Sequence, residues 1–205
     1  MSAKRLITSV FAAAIAAASI GSASAAPIEQ WASSVVGFSS EYSSTSWSAA
    51  QALGAPDTFS YGDIVTAWTT RDANGALEWI SVGFDTAVYA NGATIRETLG
   101  NGFVYQIDVI DTLGNLHKVW EGIDTSAGNV PYDFSVSWNT TSFLVAGLKV
   151  HVDTNHTSTW EEIDAIRLAG DTVGPVGQVP EPASLALMGL GLGLAGIARS
   201  RRRTA

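Results

Sequence analysis

Hydrophobic and polar residues alternate along most of the middle of the chain. From residue 132 to residue 138 every second position is aromatic or aliphatic, and Asp or Ser stands between. The same period of two runs through residues 144–153 and 103–109. Because successive side chains of a strand point to opposite faces, each run predicts a strand with one buried face. Further strands are predicted at residues 35–39, 77–84, 94–99, 116–120 and 163–168.

Pairs of Asn and Gly separate these runs and are typical of tight turns. They occur at positions 74–75, 91–92, 101–102, 114–115 and 128–129. The pair at 114–115 predicts a hairpin, and only residues 48–53 suggest a helical turn. About eight short strands in roughly 150 residues predict an all-β fold, an antiparallel jelly-roll β-sandwich over residues 26–170.

The first 25 residues have the three parts of a secretory signal peptide. Lys4 and Arg5 supply positive charge, residues 6–20 are apolar, and Ala23-Ser24-Ala25 is a small-residue cleavage site. The apolar residues occupy every side of a helix, which disfavours an amphipathic helix of a soluble domain. We therefore expect residues 1–25 to be a signal peptide that directs export.

The C-terminal end is apolar and then basic. A Gly- and Pro-containing linker at 171–178 leads to Val179-Pro180-Glu181-Pro182, and residues 183–198 carry no charge. A basic cluster follows at Arg199, Arg201, Arg202 and Arg203. The apolar stretch is shorter than the about 20 residues of a typical spanning helix, but a flanking positive cluster is typical of a membrane anchor. We expect a short transmembrane helix at about 183–198 and a basic tail at 199–203.

This tail resembles the PEP-CTERM sorting signal of Gram-negative bacteria. The resemblance rests on the Val-Pro-Glu-Pro motif, the short Gly- and Leu-rich stretch and the Arg cluster, in that order, over residues 179–205. It implies that an exosortase in the inner membrane is a partner of the chain. It also implies delivery to the cell surface or the extracellular matrix, often beside exopolysaccharide.

The two basic ends conceal how acidic the middle is. The whole chain has 11 basic and 19 acidic residues, a net charge of −8, and no cysteine. Residues 27–179 hold five of the basic and 18 of the acidic residues, a net charge of −13. The absence of cysteine excludes disulfides, thiolate metal sites and a Cys nucleophile. The acidity argues against nucleic acid as a partner, since such binding needs Lys and Arg to neutralise phosphates.

Four motifs of the middle occur in order within residues 33–170. The segments are 38–47, 51–57, Ile95-Arg96-Glu97-Thr98 and Trp160-Glu161-Glu162-Ile163-Asp164-Ala165-Ile166. Together they resemble galactose-binding-like domains related to the pappalysin scarf domain. The resemblance implies an eight-stranded jelly roll of the discoidin type.

The same resemblance implies a structural Ca²⁺ as cofactor. The residues at the matching positions are Asp57, Asp63, Thr66 and Glu162. Carboxylate and hydroxyl oxygens are ligands that Ca²⁺ prefers. The loop departs from the pattern because Asp57 is not followed by Gly. Alternatively, Asp57 and Asp63 are solvated turn residues.

The seven tryptophans are candidates for sugar binding, because exposed aromatic rings stack on the apolar faces of sugars. Trp31 and Trp47 stand in Ser-rich surroundings and are the predicted ligand-binding residues. Trp160 is a further candidate. Three others lie within strand patterns and are expected to pack in the core: Trp79, Trp120 and Trp138.

Two polar clusters are weaker candidates for chemistry. The first is His151, Asp153 and His156, and the second is Glu161, Glu162 and Asp164. A metal site needs three or four converging ligands, so solvated side chains are favoured for the first. Paired carboxylates can do acid–base work, but no nucleophile motif accompanies the second. We therefore expect no catalytic residue and favour a calcium or surface role.

Together these features predict an exported, non-enzymatic protein of the cell surface or extracellular matrix. Its expected activity is binding, with carbohydrate such as exopolysaccharide as the leading ligand. Two alternatives stay open. One is a structural or adhesive component of a biofilm matrix without a small-ligand pocket. The other is a polysaccharide hydrolase that uses the carboxylates of the second cluster.

Overall fold

The computed structural model describes residues 27–175, which fold into eight antiparallel strands and one 3₁₀ helix at Ala49–Ala52. The strands are β1 (Ile28–Trp31), β2 (Ser34–Phe38), β3 (Leu77–Leu99), β4 (Val104–Asp111), β5 (Leu116–Glu121), β6 (Tyr132–Ser137), β7 (Val145–Asp153) and β8 (Glu162–Asp171). The predicted all-β jelly roll is confirmed. The signal peptide, the sorting helix and the basic tail predicted from the sequence lie outside the described residues. Within residues 27–175 no helix has the length and apolar character needed to cross a membrane.

Strand β3 belongs to two sheets. Its first half pairs with β2 and β7, and β7 continues the sheet through β4 to β5. Its second half pairs with β8 on one side and β6 on the other, and β8 also pairs with β1. The sequence predicted two strands here, at 77–84 and 94–99. One continuous strand instead connects the two layers.

The turn predicted at Asn91-Gly92 is therefore wrong. Gly92 lies inside β3, opposite Ser137 of β6, and the pairing with β8 shifts register between Ala90 and Gly92. A Cβ atom at Gly92 would come within 3.0 Å of the carbonyl oxygen of Val136. Gly92 therefore allows two strands to approach closely at a bulge, and it does not form a turn.

The hydrophobic core lies between the two sheets. Inward-facing residues of β3 and β7, such as Ile80, Val82, Val150 and Val152, are completely buried. The period of two predicted this alternation for the end of β7. At the start of β7 the prediction was wrong, because Val145 is buried while Leu144 and Ala146, which were predicted to face inward, are only partly buried. The registers in which β7 pairs with β3 and β4 shift at this point.

The core tryptophans are arranged partly as predicted. Trp120 and Trp138 pack against the core, and the Trp138 indole donates a hydrogen bond to the Ala90 carbonyl at 3.1 Å. Trp79 does not belong to the core. Its neighbour Ile80 points inward, so Trp79 lies on the outer face, where the Lys149 ammonium stands 3.9 Å above its ring.

Candidate functional site

An aromatic pocket lies where three loops meet. Its lining residues are Tyr42, Trp47, Asp63, Thr69 and Trp160, and it holds about 250 Å³ of empty space, part of it open to solvent. The Tyr42 ring meets the Trp47 ring at 70° with centroids 5.3 Å apart, and it meets the Trp160 ring at 89° with centroids 6.0 Å apart. The Tyr42 ring therefore meets each tryptophan ring edge to face, which is a favourable arrangement of aromatic side chains.

Backbone hydrogen bonds between loops hold these rings in place. The amide of Tyr42 donates to the carbonyl of Thr69 at 3.1 Å, and the amide of Trp47 donates to the carbonyl of Val65 at 3.1 Å. The amide of Thr69 in turn donates to the carbonyl of Trp47 at 3.3 Å. Trp47 has a φ of 52°, a left-handed conformation that is uncommon for a bulky residue and is concentrated at functional sites.

A buried carboxyl group lies behind the pocket. Glu162, at the start of β8, is fully buried, and its Oε2 accepts a hydrogen bond from the amide of Ile64 at 3.3 Å. Burial raises the pKa of Glu162 to about 8, and the carboxylate of Asp63 raises it further. Its Oε1 has no hydrogen-bond partner among the described residues. Asp63 therefore connects the pocket with this carboxyl group.

A second buried carboxyl group, that of Asp164, lies near Glu162 on β8. Asp164 is buried, and its Oδ1 accepts hydrogen bonds from the amides of Thr58 at 3.1 Å and Asp57 at 3.4 Å. The Thr58 and Thr66 hydroxyls are 2.6 Å apart. Burial raises the pKa of Asp164, and its Oδ2 has no partner among residues 27–175.

The four predicted calcium ligands therefore lie in two contact sets. Asp63 contacts Glu162, and Asp57 is joined to Thr66 through Asp164 and Thr58. The two unpartnered buried carboxylate oxygens, on Glu162 and Asp164, fit a cation bound by oxygen ligands. However, no three His, Asp or Glu residues of the described part of the chain converge as metal ligands. A Ca²⁺ ion would thus need carbonyl and hydroxyl oxygens as well.

Sequence reasoning gave Asp164 a calcium or surface role within the acidic cluster, but did not count it among the four calcium ligands, and it did not propose Thr58. Asp164 lies two residues after Glu162 on the same strand and so on the same face. Nothing in the local sequence identified Thr58. Asp57 and Asp63 are exposed on their loop, as the solvated-turn alternative expected, while their partners on β8 are buried.

Trp31 is not part of the pocket. It lies at the end of β1, not in the loop predicted from its Ser-rich surroundings, and pairs in register with Arg167 of β8. The Arg167 guanidinium stands 5.3 Å from the centre of the Trp31 ring and bonds Glu29 at 2.6 Å. Of the two predicted ligand-binding tryptophans, only Trp47 lines the pocket, together with Trp160.

The weaker candidates have separate partners. His151 Nε2 lies 2.7 Å from a carboxylate oxygen of Asp108, and His156 Nε2 lies 2.9 Å from the carbonyl oxygen of Asn101. The two imidazoles and Asp153 therefore do not converge as the metal hypothesis required. Glu161 is buried, and its Oε1 accepts hydrogen bonds from the amide and hydroxyl of Thr157.

Another buried carboxyl pair lies away from the pocket lining. Glu97 of β3 is fully buried and its Oε2 accepts a hydrogen bond from the amide of Gly102 at 2.9 Å. Burial raises the pKa of Glu97 to about 10, and the hydrogen bond to Asp124 contributes to this shift. The raised pKa of Glu97 favours its protonated form at neutral pH.

Comparison with family models shows to which family the chain belongs. The family model described as Pappalysin-1, SD scarf domain, C-terminal matches residues 21–177. The chain belongs to this family. The matched residues include all eight strands and every residue that lines the aromatic pocket. Residues 178–203 match the PEP-CTERM protein-sorting motif. Both resemblances seen in the sequence are confirmed.

Solved structures agree on the fold. The chain is 14% identical to reduced XRCC1 bound to the DNA pol beta catalytic domain, with a TM-score of 0.55 over 70% of this chain and 99% of that chain. It is 15% identical to truncated AlyQ with CBM32 and alginate lyase domains, with a TM-score of 0.52 over 78% of this chain and 38% of that chain. Identities this low establish the jelly-roll fold and no activity. A search of curated proteins finds no match.

Proposed function

We propose that this scarf-domain protein is an exported carbohydrate-binding protein whose sugar site is the aromatic pocket. The observation that carries the proposal is the meeting of three rings, Tyr42, Trp47 and Trp160, with the polar side chains of Asp63 and Thr69 at one opening. Binding sites for small ligands combine an apolar, aromatic lining with a few placed polar groups. Aromatic faces pack on sugar rings, and the polar groups bond to hydroxyls.

The sorting motif supports the proposed location. An exosortase of the inner membrane recognises residues 179–205, and the signal peptide at 1–25 starts export. The domain then works at the cell surface or in the extracellular matrix of a Gram-negative bacterium, where exopolysaccharide is the available ligand.

The domain acts by binding and not by catalysis. Glu161, Glu162 and Asp164 are each at most 1% exposed, and none of them lines the pocket. A glycosidase needs two carboxyl groups that flank an accessible sugar. The burial of these three disfavours the hydrolase alternative.

A Ca²⁺ ion would brace the loops of the pocket. Asp57, Asp63, Thr66 and Glu162 would hold it together with Asp164 and Thr58. Such an ion would neutralise buried carboxylates and tie the loop at 57–66 to β8. The loop carries Asp63, so the ion would also fix one wall of the pocket.

A glycan array tests the proposal. The full-length chain, purified in detergent, is applied to bacterial and plant polysaccharides in parallel with two variants, Tyr42→Ala and Trp31→Ala. We expect binding by the wild type and by Trp31→Ala, and loss of binding in Tyr42→Ala. Absence of binding to every glycan, with and without Ca²⁺, would instead favour the structural or adhesive alternative.

A further inference from the structure

The aromatic pocket combines a cage of rings with negative charge. The Tyr42 ring meets the rings of Trp47 and Trp160 edge to face, and the one charged lining residue is Asp63. The electron-rich faces of Trp and Tyr attract cations, and cages of such rings recognise ammonium groups. A nearby carboxylate adds a direct charge attraction.

The charged group at the pocket is negative. Asp63 is the one charged lining residue, and no basic residue of the described 27–175 region lines the pocket. The region as a whole has 18 acidic and five basic residues. A summed field of this kind concentrates cations and repels anions near the surface.

The size of the pocket limits what can enter. The cavity measures about 50 Å³, well below the about 300 Å³ at the lower end of ordinary ligand pockets. One substituent of a sugar, rather than a stretch of glycan chain, therefore fits between the rings.

We propose that this pocket selects sugars that carry a positively charged amine, with the ammonium group between Tyr42, Trp47 and Trp160 and its charge against Asp63. The inference rests on the proposed carbohydrate binding and specifies its substrate class. Neutral sugars and uronic acids lack the charge that the rings and Asp63 attract. The recognised unit is an amino sugar of a polysaccharide whose nitrogen is not acylated.

Calorimetric titration with matched oligosaccharides tests this inference. The full-length chain in detergent and a Ca²⁺ chelator, which leaves the Asp63 carboxylate free, is titrated with glucosamine tetramers and with N-acetylglucosamine tetramers, at a slightly acidic pH where the free amines are protonated. We expect the glucosamine tetramer to bind about tenfold more tightly. Equal affinity, or a preference for the acetylated tetramer, would overturn the inference and leave carbohydrate binding intact.

Variants separate the cage from general charge attraction. Asp63→Asn and the exposed Asp85→Asn remove the same charge, but only Asp63 lines the pocket. Tyr42→Phe keeps the ring that Tyr42→Leu removes. We expect the preference for glucosamine to disappear in Asp63→Asn and Tyr42→Leu and to persist in Asp85→Asn and Tyr42→Phe. Equal losses in Asp63→Asn and Asp85→Asn would assign the preference to net charge and overturn the cage.

A titration with tetramethylammonium tests the ammonium cage separately from carbohydrate binding. Binding of this ion, lost in Tyr42→Leu, without binding of any oligosaccharide would support the ammonium cage and contradict carbohydrate binding. No binding of the ion or of either tetramer would contradict both.

Discussion

The Tyr42 ring stands at 89° to the Trp160 ring, with centroids 6.0 Å apart, although the two residues come from loops at opposite ends of the domain sequence. Trp160 directly precedes the buried carboxylates of β8, and Tyr42 follows β2. The contact therefore closes the pocket between the first and the last loops of the fold. Because Tyr42 is 51% exposed, its ring contributes little to the packing of the core.

This contact predicts that Tyr42→Ala separates binding from folding. Removing an exposed ring costs little packing, so the melting temperature should change by only a few degrees. Loss of one face of the site should weaken glycan binding by about 1–2 kcal/mol, roughly tenfold. Parallel thermal melts and titrations check both values. A large loss of stability with unchanged binding would mean that the ring is structural.

Trp68 should show the opposite behaviour. It is the largest completely buried side chain, and its indole donates a hydrogen bond to the Ser40 carbonyl at 3.2 Å. Truncation to Ala removes this packing and should lower the free energy of unfolding by about 3–5 kcal/mol. Urea unfolding of the variant measures the loss. A change smaller than that of Tyr42→Ala would contradict the assignment of Trp68 to the core.

The buried Glu97 carboxyl group predicts a dependence of stability on pH. Its pKa is about 10 in the folded protein against the ordinary pKa of 4.5 for a glutamate, so between these values the folded state binds one more proton than the unfolded state. The free energy of unfolding must therefore fall as pH rises through this window. Glu97→Gln keeps a hydrogen-bonding amide in place but does not titrate.

Melts from neutral to alkaline pH test this expectation. The melting temperature of the wild type should decrease with pH more steeply than that of Glu97→Gln. The control is Glu121→Gln, at an exposed position paired with Lys118, which should keep the wild-type slope. Identical slopes for the wild type and Glu97→Gln would show that Glu97 does not carry the effect.

Calcium binding predicts a melting temperature that depends on Ca²⁺. A ligand that binds only the folded state stabilises it, by about 2.7 kcal/mol at a hundred times its dissociation constant. The wild type and Asp85→Asn should melt at a higher temperature in Ca²⁺ than in chelator, and Glu162→Gln should lose this difference. A wild-type melting temperature that is the same in both solutions would show that no stabilising ion binds.

The sequence predicted the strands well because alternation reports directly on a half-buried face. It failed at Asn91-Gly92, since the same dipeptide that favours a turn also permits the close approach of two strands. For the pocket it identified Trp47 and Trp160 but not Tyr42. That residue joins them through hydrogen bonds between distant loops, such as Tyr42 to Thr69, which no local pattern encodes.

The central claim is that a glycan binds between Tyr42, Trp47 and Trp160. The seven indole N–H groups, all within residues 27–175, give separate nuclear magnetic resonance signals that can be assigned by single Trp→Phe substitutions. The full-length chain is titrated with the oligosaccharide that gives the strongest array signal. The account predicts that the signals of Trp47 and Trp160 move together, while those of Trp31 and Trp79 stay in place. Movement of Trp31 or Trp79 with Trp47 and Trp160 unchanged would contradict it.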